Sequence, residues 1–426
     1  MKTDSILQEV LEKIEPPFSE ITIMQEALDD FKTRFKEFLE IEKINAELFV
    51  GGSFAKKTLV KKDKYDADIF VRFDKKYPDS EISTLTEKVL KKFEGVTKIH
   101  GSRDYFQVKI NDNFFLEIVP VCKVKDPMKS RNITDLSSSH VKYINKKIKS
   151  QKILNDIKLA KAFCHAHHCY GAESYINGFS GYSLELLVYY YGGFIKFLKE
   201  MVKVKDEKLV IDMEKYYKNK KEVLLDLNGS KLISPIILID PTYKHRNALA
   251  ALSKETLSKF QKECRAFLKN PSVKKFEEKK TDLEKIKKNA LSKEQEFILI
   301  ETKTLKQAGD IAGSKLLKFY NHLEKEIKKY FKVKKKGFNY NKKNSARYYF
   351  VCENRGEILV RGPSIKDEKN VLAFEKKHKD YFTKQGKIYS KKVIDFTLKE
   401  FILKWNVKNK VKIKEMYIDN LEIIEN

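Results

Sequence analysis

Residues 49–58, FVGGSFAKKT, and residues 65–73, YDADIFVRF, decide the fold. The first run is apolar until it breaks at Gly51-Gly52-Ser53. The second places Asp66 and Asp68 at the head of a β-rich segment, thirteen residues after Ser53. In a strand, residues i and i+2 share a face, so Asp66 and Asp68 converge. Two adjacent carboxylates repel unless a cation sits between them, and the spacing suits Mg²⁺, which takes hard oxygen ligands and keeps water or substrate phosphate in its shell. The glycine turn lets backbone amides approach an anion, and the Ser53 hydroxyl adds a donor. A third carboxylate, Glu117, stands in FFLEIVPV (114–121) with apolar residues on both sides. If that run is a neighbouring strand, three carboxylates from two strands can hold two metal ions, one to activate an attacking hydroxyl and one to carry leaving phosphate oxygens. A lone DxD is more often a solvated strand end, GGS alone is a turn, and a lone Glu is an edge charge. The three in this order point to nucleotidyl transfer.

Outward from this core the period changes. Ile6, Leu7, Val10, Leu11 and Ile14 recur at helical spacing and Pro16-Pro17 stop the run; Ile23, Ala27, Leu28, Phe31, Phe35, Phe38 and Leu39 form the stripe of a second helix. AELFVGGSF, DADIFVRF, YFQVKI and FFLEIVPV read as strands, with a helix at EISTLTEKVLKKFEG. The class is therefore α+β and multidomain: a catalytic head over 1–145, a helical central domain over 146–270, and a mixed α/β body and tail over 271–426. Within the last, FEEKKTDLEKIKKNALSKEQEF reads as a solvated helix or connector, EFILIETKT, ARYYFVCEN and GEILVRGP as strands, and KVKKKGFNYNKKN (332–344) as a polar, basic loop.

The chain has 426 residues, with 28 Phe and 21 Tyr, enough apolar side chain for several cores and against global disorder. No run approaches the roughly 18 to 20 apolar residues of a membrane-spanning helix, and MKTDSILQEVLEKIEPP has no apolar segment of a secretory signal. Lys and Arg total 87 against 60 Asp and Glu, a net charge of +27 that attracts polyanions, nucleic acid above all. Five scattered cysteines do not make a disulfide framework and fit a reducing, cytoplasmic setting. Cys164-His165-Ala166-His167-His168-Cys169 holds metal-ligand residue types, but no second Cys/His pair lies at zinc-finger spacing, so the cluster reads as structural.

GGS followed by DxD resembles the polymerase-β-like nucleotidyltransferases, and the rest of the chain resembles one branch, the archaeal (class I) CCA-adding enzymes. VLEKIEPPFSE is similar to that family's opening helix and proline stop, GGSFAKKT to its phosphate-binding turn, and LEIVPVCKV to its third-carboxylate strand. YGAESYINGFSGYSLELLVYYYG, DPTYKHRNALAALS with FLKNPS, and RGPSIKDEKNVLAFEKKH resemble its later motifs. The resemblance implies addition or repair of the 3′-terminal CCA of tRNA from CTP and ATP, without a template and with Mg²⁺. It implies Asp66, Asp68 and Glu117 as metal-binding catalytic carboxylates, and Ser53 and Lys56 on the triphosphate. His140 would contact the nucleotide, Lys161 and Tyr170 the triphosphate, and Arg246 would read the base edge. It further implies grip on the acceptor and TΨC arms by basic residues along the helical and C-terminal regions, and is compatible with a homodimer. This sequence departs from the family at Asp66, where Glu is frequent, at Glu117, where Asp is, at Lys56, where Arg is, at DLSSSH (135–140), and at Asn177 before GFSGY. The rival readings are a poly(A) polymerase or oligoadenylate-type synthetase, and a non-catalytic RNA-binding relative.

Overall fold

The computed structural model describes residues 2–101, 103–205, 207–278, 281–378 and 380–424. Two helices open the chain, α1 (Lys2–Ile14) and α2 (Phe18–Ile41), parted at Pro16-Pro17 where the missing amide hydrogens end the first ladder. Five strands follow: β1 (Ala46–Val50), β2 (Tyr65–Phe73), β3 (Val96–Ile99), β4 (Tyr105–Lys109) and β5 (Phe114–Cys122). They form one sheet in the order β1-β2-β5-β4-β3, with β2 and β5 parallel and the other pairs antiparallel. A short helix, α3 (Gly52–Ala55), separates β1 from β2, and α4 (Asp79–Leu90) carries the chain from β2 to β3.

The two-residue period decides which face is which. Phe114, Leu116 and Ile118 of β5 and Ala67, Ile69 and Val71 of β2 are buried, against a core that takes in Met24, Leu28, Phe31 and Phe35 of α2 and Ile82 and Val89 of α4. The residues between them, Asp66, Asp68 and Glu117, point the other way and stay half-buried. A sheet covered on one side by helices thus leaves its other side for chemistry.

The middle of the chain folds as α5 (Ser137–Lys147), α6 (Gln151–Ala166), α7 (Gly181–Tyr191), α8 (Phe194–Lys203), β6 (Leu209–Ile211), α9 (Lys220–Asp226), β7 (Ile236–Asp240), β8 (Tyr243–Asn247) and α10 (Lys254–Lys269). Its core is a cluster of rings: Phe163, Phe179, Phe194, Phe197, Phe260 and Phe267 are fully buried. α1 packs here rather than on the sheet, through Leu7 and Val10, and Lys158 of α6 pairs with Glu15 at 2.7 Å. The head and helical segments together make one compact unit, residues 1–279.

Residues 280–426 form the other unit. It contains α11 (Leu283–Leu291), β9 (Glu296–Lys303), α12 (Asp310–Ile327), β10 (Phe331–Tyr340), β11 (Ser345–Asn354), β12 (Glu357–Ser364), α13 (Glu368–Lys377), β13 (Tyr381–Lys384), β14 (Lys387–Val393), α14 (Leu398–Lys408), α15 (Lys410–Glu415) and β15 (Asn420–Ile423). β10-β11-β9-β15 is an antiparallel sheet; β12-β14-β13 is a second, smaller one. The basic run expected as a loop is instead mostly β10, registered against β11 from Phe331 to Tyr340. Phe331 and Tyr340 are buried while Lys332, Lys334, Lys335 and Lys336 face water. This is an edge strand whose lysines keep the open ladder from pairing with other chains, and that charge masks the strand in the sequence. No helix among the described residues is long and apolar enough to cross a membrane.

Candidate active site

The parallel register of β2 and β5 sets Asp68 opposite Glu117. Asp66 lies two residues upstream on the same face of β2. The strand expected over AELFVGGSF ends at Val50, and the Gly51 amide donates to the Asp68 carbonyl at 2.8 Å. Gly52 then turns with φ +64, a conformation glycine adopts without strain. Ser53 follows in α3, half-buried.

Burial, and then the Asp66 charge, push the Asp68 carboxyl up to about 6. Burial and the Asp68 charge push Glu117 up to about 7. These are the properties of carboxylates crowded without a cation. Among the described residues no three acidic, histidine or cysteine side chains stand as a ready-made metal cluster. Lys62 Nζ donates to Asp66 Oδ1 at 3.0 Å and Gln107 Nε2 to Glu117 Oε1 at 3.0 Å, so each outer carboxylate has a protein donor. The donor set fits a divalent cation: oxygen ligands only, destabilised by mutual repulsion that a cation removes.

Lys56 and Lys161 converge from the head and from α6. Lys56 Nζ donates to Glu185 Oε2 at 2.6 Å; Lys161 Nζ donates to Glu185 Oε1 at 2.9 Å and to Thr58 Oγ1 at 2.7 Å. Thr58 Oγ1 in turn donates to Glu185 Oε1 at 2.9 Å. All four side chains are buried, with Glu185 and Thr58 wholly so. Although burial alone would raise it, the Lys161 and Lys56 ammonium groups hold the Glu185 carboxyl well below the usual range. Burial pulls Lys161 below the usual lysine range, against the opposing pull of Glu185. Two ammonium groups on one carboxylate leave one net positive charge. Tyr170 closes the same corner: a Cβ at Gly181 would lie 2.8 Å from its hydroxyl and 3.8 Å from Lys161 Cε. Its phenol is raised by burial and by the charges of Glu185 and Asp66.

His140 and Arg246 meet on a different carboxylate. His140 Nε2 lies 3.1 Å from Asp240 Oδ2, and Arg246 Nη1 donates to the same oxygen at 2.6 Å. The His140 ring stacks on Tyr182 at 4.1 Å, and the Arg246 guanidinium lies over that ring at 5.8 Å. Lys56 Nζ lies 5.9 Å from the centre of the same ring. Tyr182 therefore joins the His140–Arg246 group to Lys56.

Glu185, Asp240, Tyr182 and Thr58 escaped the reading of the sequence. Two left a signal: Glu185 is the single charge in YSLELLVYYY, and Asp240 ends IILID, where every residue is buried. An unpartnered charge in either place would be prohibitive. Of the Cys/His cluster, Cys164, His167 and Cys169 are buried, and His165 stacks on Tyr170 at 4.0 Å.

Known proteins match along nearly the whole length. Residues 155–277 match the family model for the second domain of tRNA nucleotidyltransferase. Residues 1–153 match that of the Second Messenger Oligonucleotide or Dinucleotide Synthetase domain. The chain is 36% identical over 350 residues to the CCA-adding enzyme of Nanoarchaeum equitans, covering 81% of this chain and 83% of that one. It is 28% identical over 399 residues to the CCA-adding enzyme of Methanocaldococcus jannaschii, covering 91% and 87%. In structure it is similar to a cytoplasmic RNA terminal U-transferase, with TM-score 0.50 and 15% identity over 66% of this chain and 99% of that one. It is also similar to a poly(U) polymerase, with TM-score 0.51 and 16% identity over 65% and 98%. At such identities the two structures speak for the fold alone.

Proposed function

The chain belongs to the family of CCA-adding enzymes, tRNA nucleotidyltransferases, and from that premise we propose how its residues divide the work. The reaction is transfer of a nucleotidyl group from CTP or ATP to the 3′ end of tRNA. The 3′-hydroxyl attacks the α-phosphorus, the bond from that phosphorus to the α,β-bridging oxygen breaks, and pyrophosphate leaves. The poly(A) polymerase, oligoadenylate synthetase and non-catalytic readings are not favoured by the family.

Asp66, Asp68 and Glu117 are the residues that would hold Mg²⁺. Bound there, the ion supplies Lewis-acid charge at the transferring phosphate and a lowered pKa for a ligated hydroxyl. The observation that carries this assignment is the pairing of Asp68 with Glu117 across β2 and β5, with Asp66 on the same face. Ser53, Lys56, Lys161 and Tyr170 take the triphosphate; the net positive charge left by two lysines on Glu185 is the attraction, and lysine suits phosphate as a point charge. His140 and Arg246 take the base, where the guanidinium offers a fork of donors to acceptor atoms.

The lysines exposed along β10, with those of the helical region, grip the acceptor and TΨC arms of tRNA by shape and phosphate. All five cysteines are free thiols, and we place the protein in a reducing cytoplasm.

Asp68→Ala tests the assignment, with Mg²⁺, tRNA lacking its CCA end, and labelled CTP. Incorporation should vanish while the melting temperature holds; undiminished incorporation would defeat the carboxylate assignment.

A further inference from the structure

Asp240 has no exposed surface, yet its two oxygens serve different neighbours. Oδ1 accepts from the Thr242 amide and hydroxyl, both at 2.8 Å, and from the Tyr182 hydroxyl at 3.1 Å. Oδ2 faces His140 Nε2 at 3.1 Å and accepts from Arg246 Nη1 at 2.6 Å. These partners come from four places in the chain: α5, α7, the β7–β8 turn and β8. The turn is fixed by its own hydrogen bonds to Oδ1, so Oδ2 has one available direction. That direction points at the two groups assigned to the base, both of which lie against the Tyr182 ring. Despite burial, His140 and Arg246 hold the Asp240 carboxyl well below the usual range, so it is a permanent anion in this setting.

An arginine has three carbons of freedom before its guanidinium, and a base can be read only if that plane stands at one angle. A single salt bridge from a flexible surface acid would not fix it. A buried carboxylate already locked by three hydrogen bonds on its far oxygen does.

We propose that Asp240 is the positioning residue for nucleotide choice: it sets the angle of Arg246 against the base. The inference rests on Arg246 reading the base and adds the residue that makes that reading selective. It also explains why the Tyr182 hydroxyl is bonded to Asp240 rather than to solvent: the ring beneath the Arg246 guanidinium is tied to the acid that aims it.

Asp240→Asn is the informative change. The Asn carbonyl can still accept from Thr242 and Tyr182, but its amide then presents a donor to the Arg246 donor, which turns attraction into repulsion. With the full-length protein and Mg²⁺, CTP, UTP, ATP and GTP are supplied singly to tRNA ending at the discriminator base and to tRNA ending in CC. Single-turnover rates give the preference for C over U and for A over G, and a melting curve confirms the fold. D240N should lower both preferences by about 10- to 100-fold, the range of one charge-assisted hydrogen bond. The double variant D240N/R246A should be no less selective than R246A, because Asp240 acts through Arg246. A folded D240N with unchanged preferences overturns the inference, as does a double variant whose losses multiply. If D240N does not fold, Thr242→Val and Tyr182→Phe, which each remove one hydrogen bond to Oδ1, replace it: a graded loss of preference supports the proposal, and unchanged preference overturns it. If R246A itself leaves nucleotide choice intact, the base-reading assignment fails; if R246A changes choice and D240N does not, that assignment stands and only the role of Asp240 falls.

Discussion

A Cβ placed on Gly52 would lie 1.7 Å from Oδ2 of Asp68. The glycine turn and the acidic strand are therefore two halves of one device, since the bare backbone at Gly52 is the space in which the Asp68 carboxylate sits.

Gly52→Ala should accordingly abolish most activity. The methyl group must displace the Asp68 carboxylate, and the residue is held at φ +64, where a side chain adds a cost of about 1 kcal/mol. CTP incorporation is expected to fall by ~10² or more, since misplacement of about an ångström at a reacting centre costs that much. The melting temperature should drop by only a few degrees. Full activity with an unmoved Asp68 would separate the two motifs.

Glu185→Gln should destabilise more than it would at an exposed pair. It leaves the Lys56 and Lys161 ammonium groups buried against a neutral amide, a loss of about 3–5 kcal/mol for a broken buried pair. The pH dependence follows from the same carboxyl. Its pKa is depressed in the folded state, so its contribution is complete above the ordinary glutamate value of about 4.3 and is lost as pH falls toward the folded value. Denaturant titrations from neutral pH down to acid should show wild type losing stability on that limb and E185Q losing less. Parallel acid limbs would remove Glu185 from the account.

tRNA binding should weaken steeply with salt. If six or more phosphates are neutralised by the basic surface, affinity should fall ~10³-fold or more between about 50 and 200 mM monovalent salt. A shallow dependence would mean that the +27 charge is not organised as an RNA contact.

Phe260→Ala tests the helical core. The ring is wholly buried and lies 4.9 Å from Phe179, 5.7 Å from Phe197 and 5.9 Å from Phe163. The cavity should cost about 3–5 kcal/mol. Since α6 and α7 carry Lys161, Tyr182 and Glu185 on this core, activity per folded molecule should also fall in proportion to their loosening, read as a rise in the KM for CTP.

The acidic trio was legible because strand periodicity is local: two residues apart on β2 means one face, whatever the rest of the chain does. The third carboxylate could be guessed from its apolar flanks, but that Glu117 stands opposite Asp68 depends on a parallel register that no local pattern encodes. β10 was misread for a related reason. Four lysines on the exposed face outweigh two buried rings in any reading of the sequence, and only the ladder with β11 reveals the strand.

What the chain determined by itself is the chemistry it can offer: Gly52, Asp66, Asp68 and Glu117 on β-rich runs, and a resemblance carried by motifs spread over its whole length. What the tertiary structure decided is partnership. Lys56 and Lys161 lie 105 residues apart, and His140 and Asp240 lie 100 apart. They meet because burying the apolar faces of α6, α7 and β7 drags their few charged residues into a medium where an unpaired charge is prohibitive. Each buried charge must then find its counterpart wherever the fold has brought one, and sequence separation plays no part in that choice.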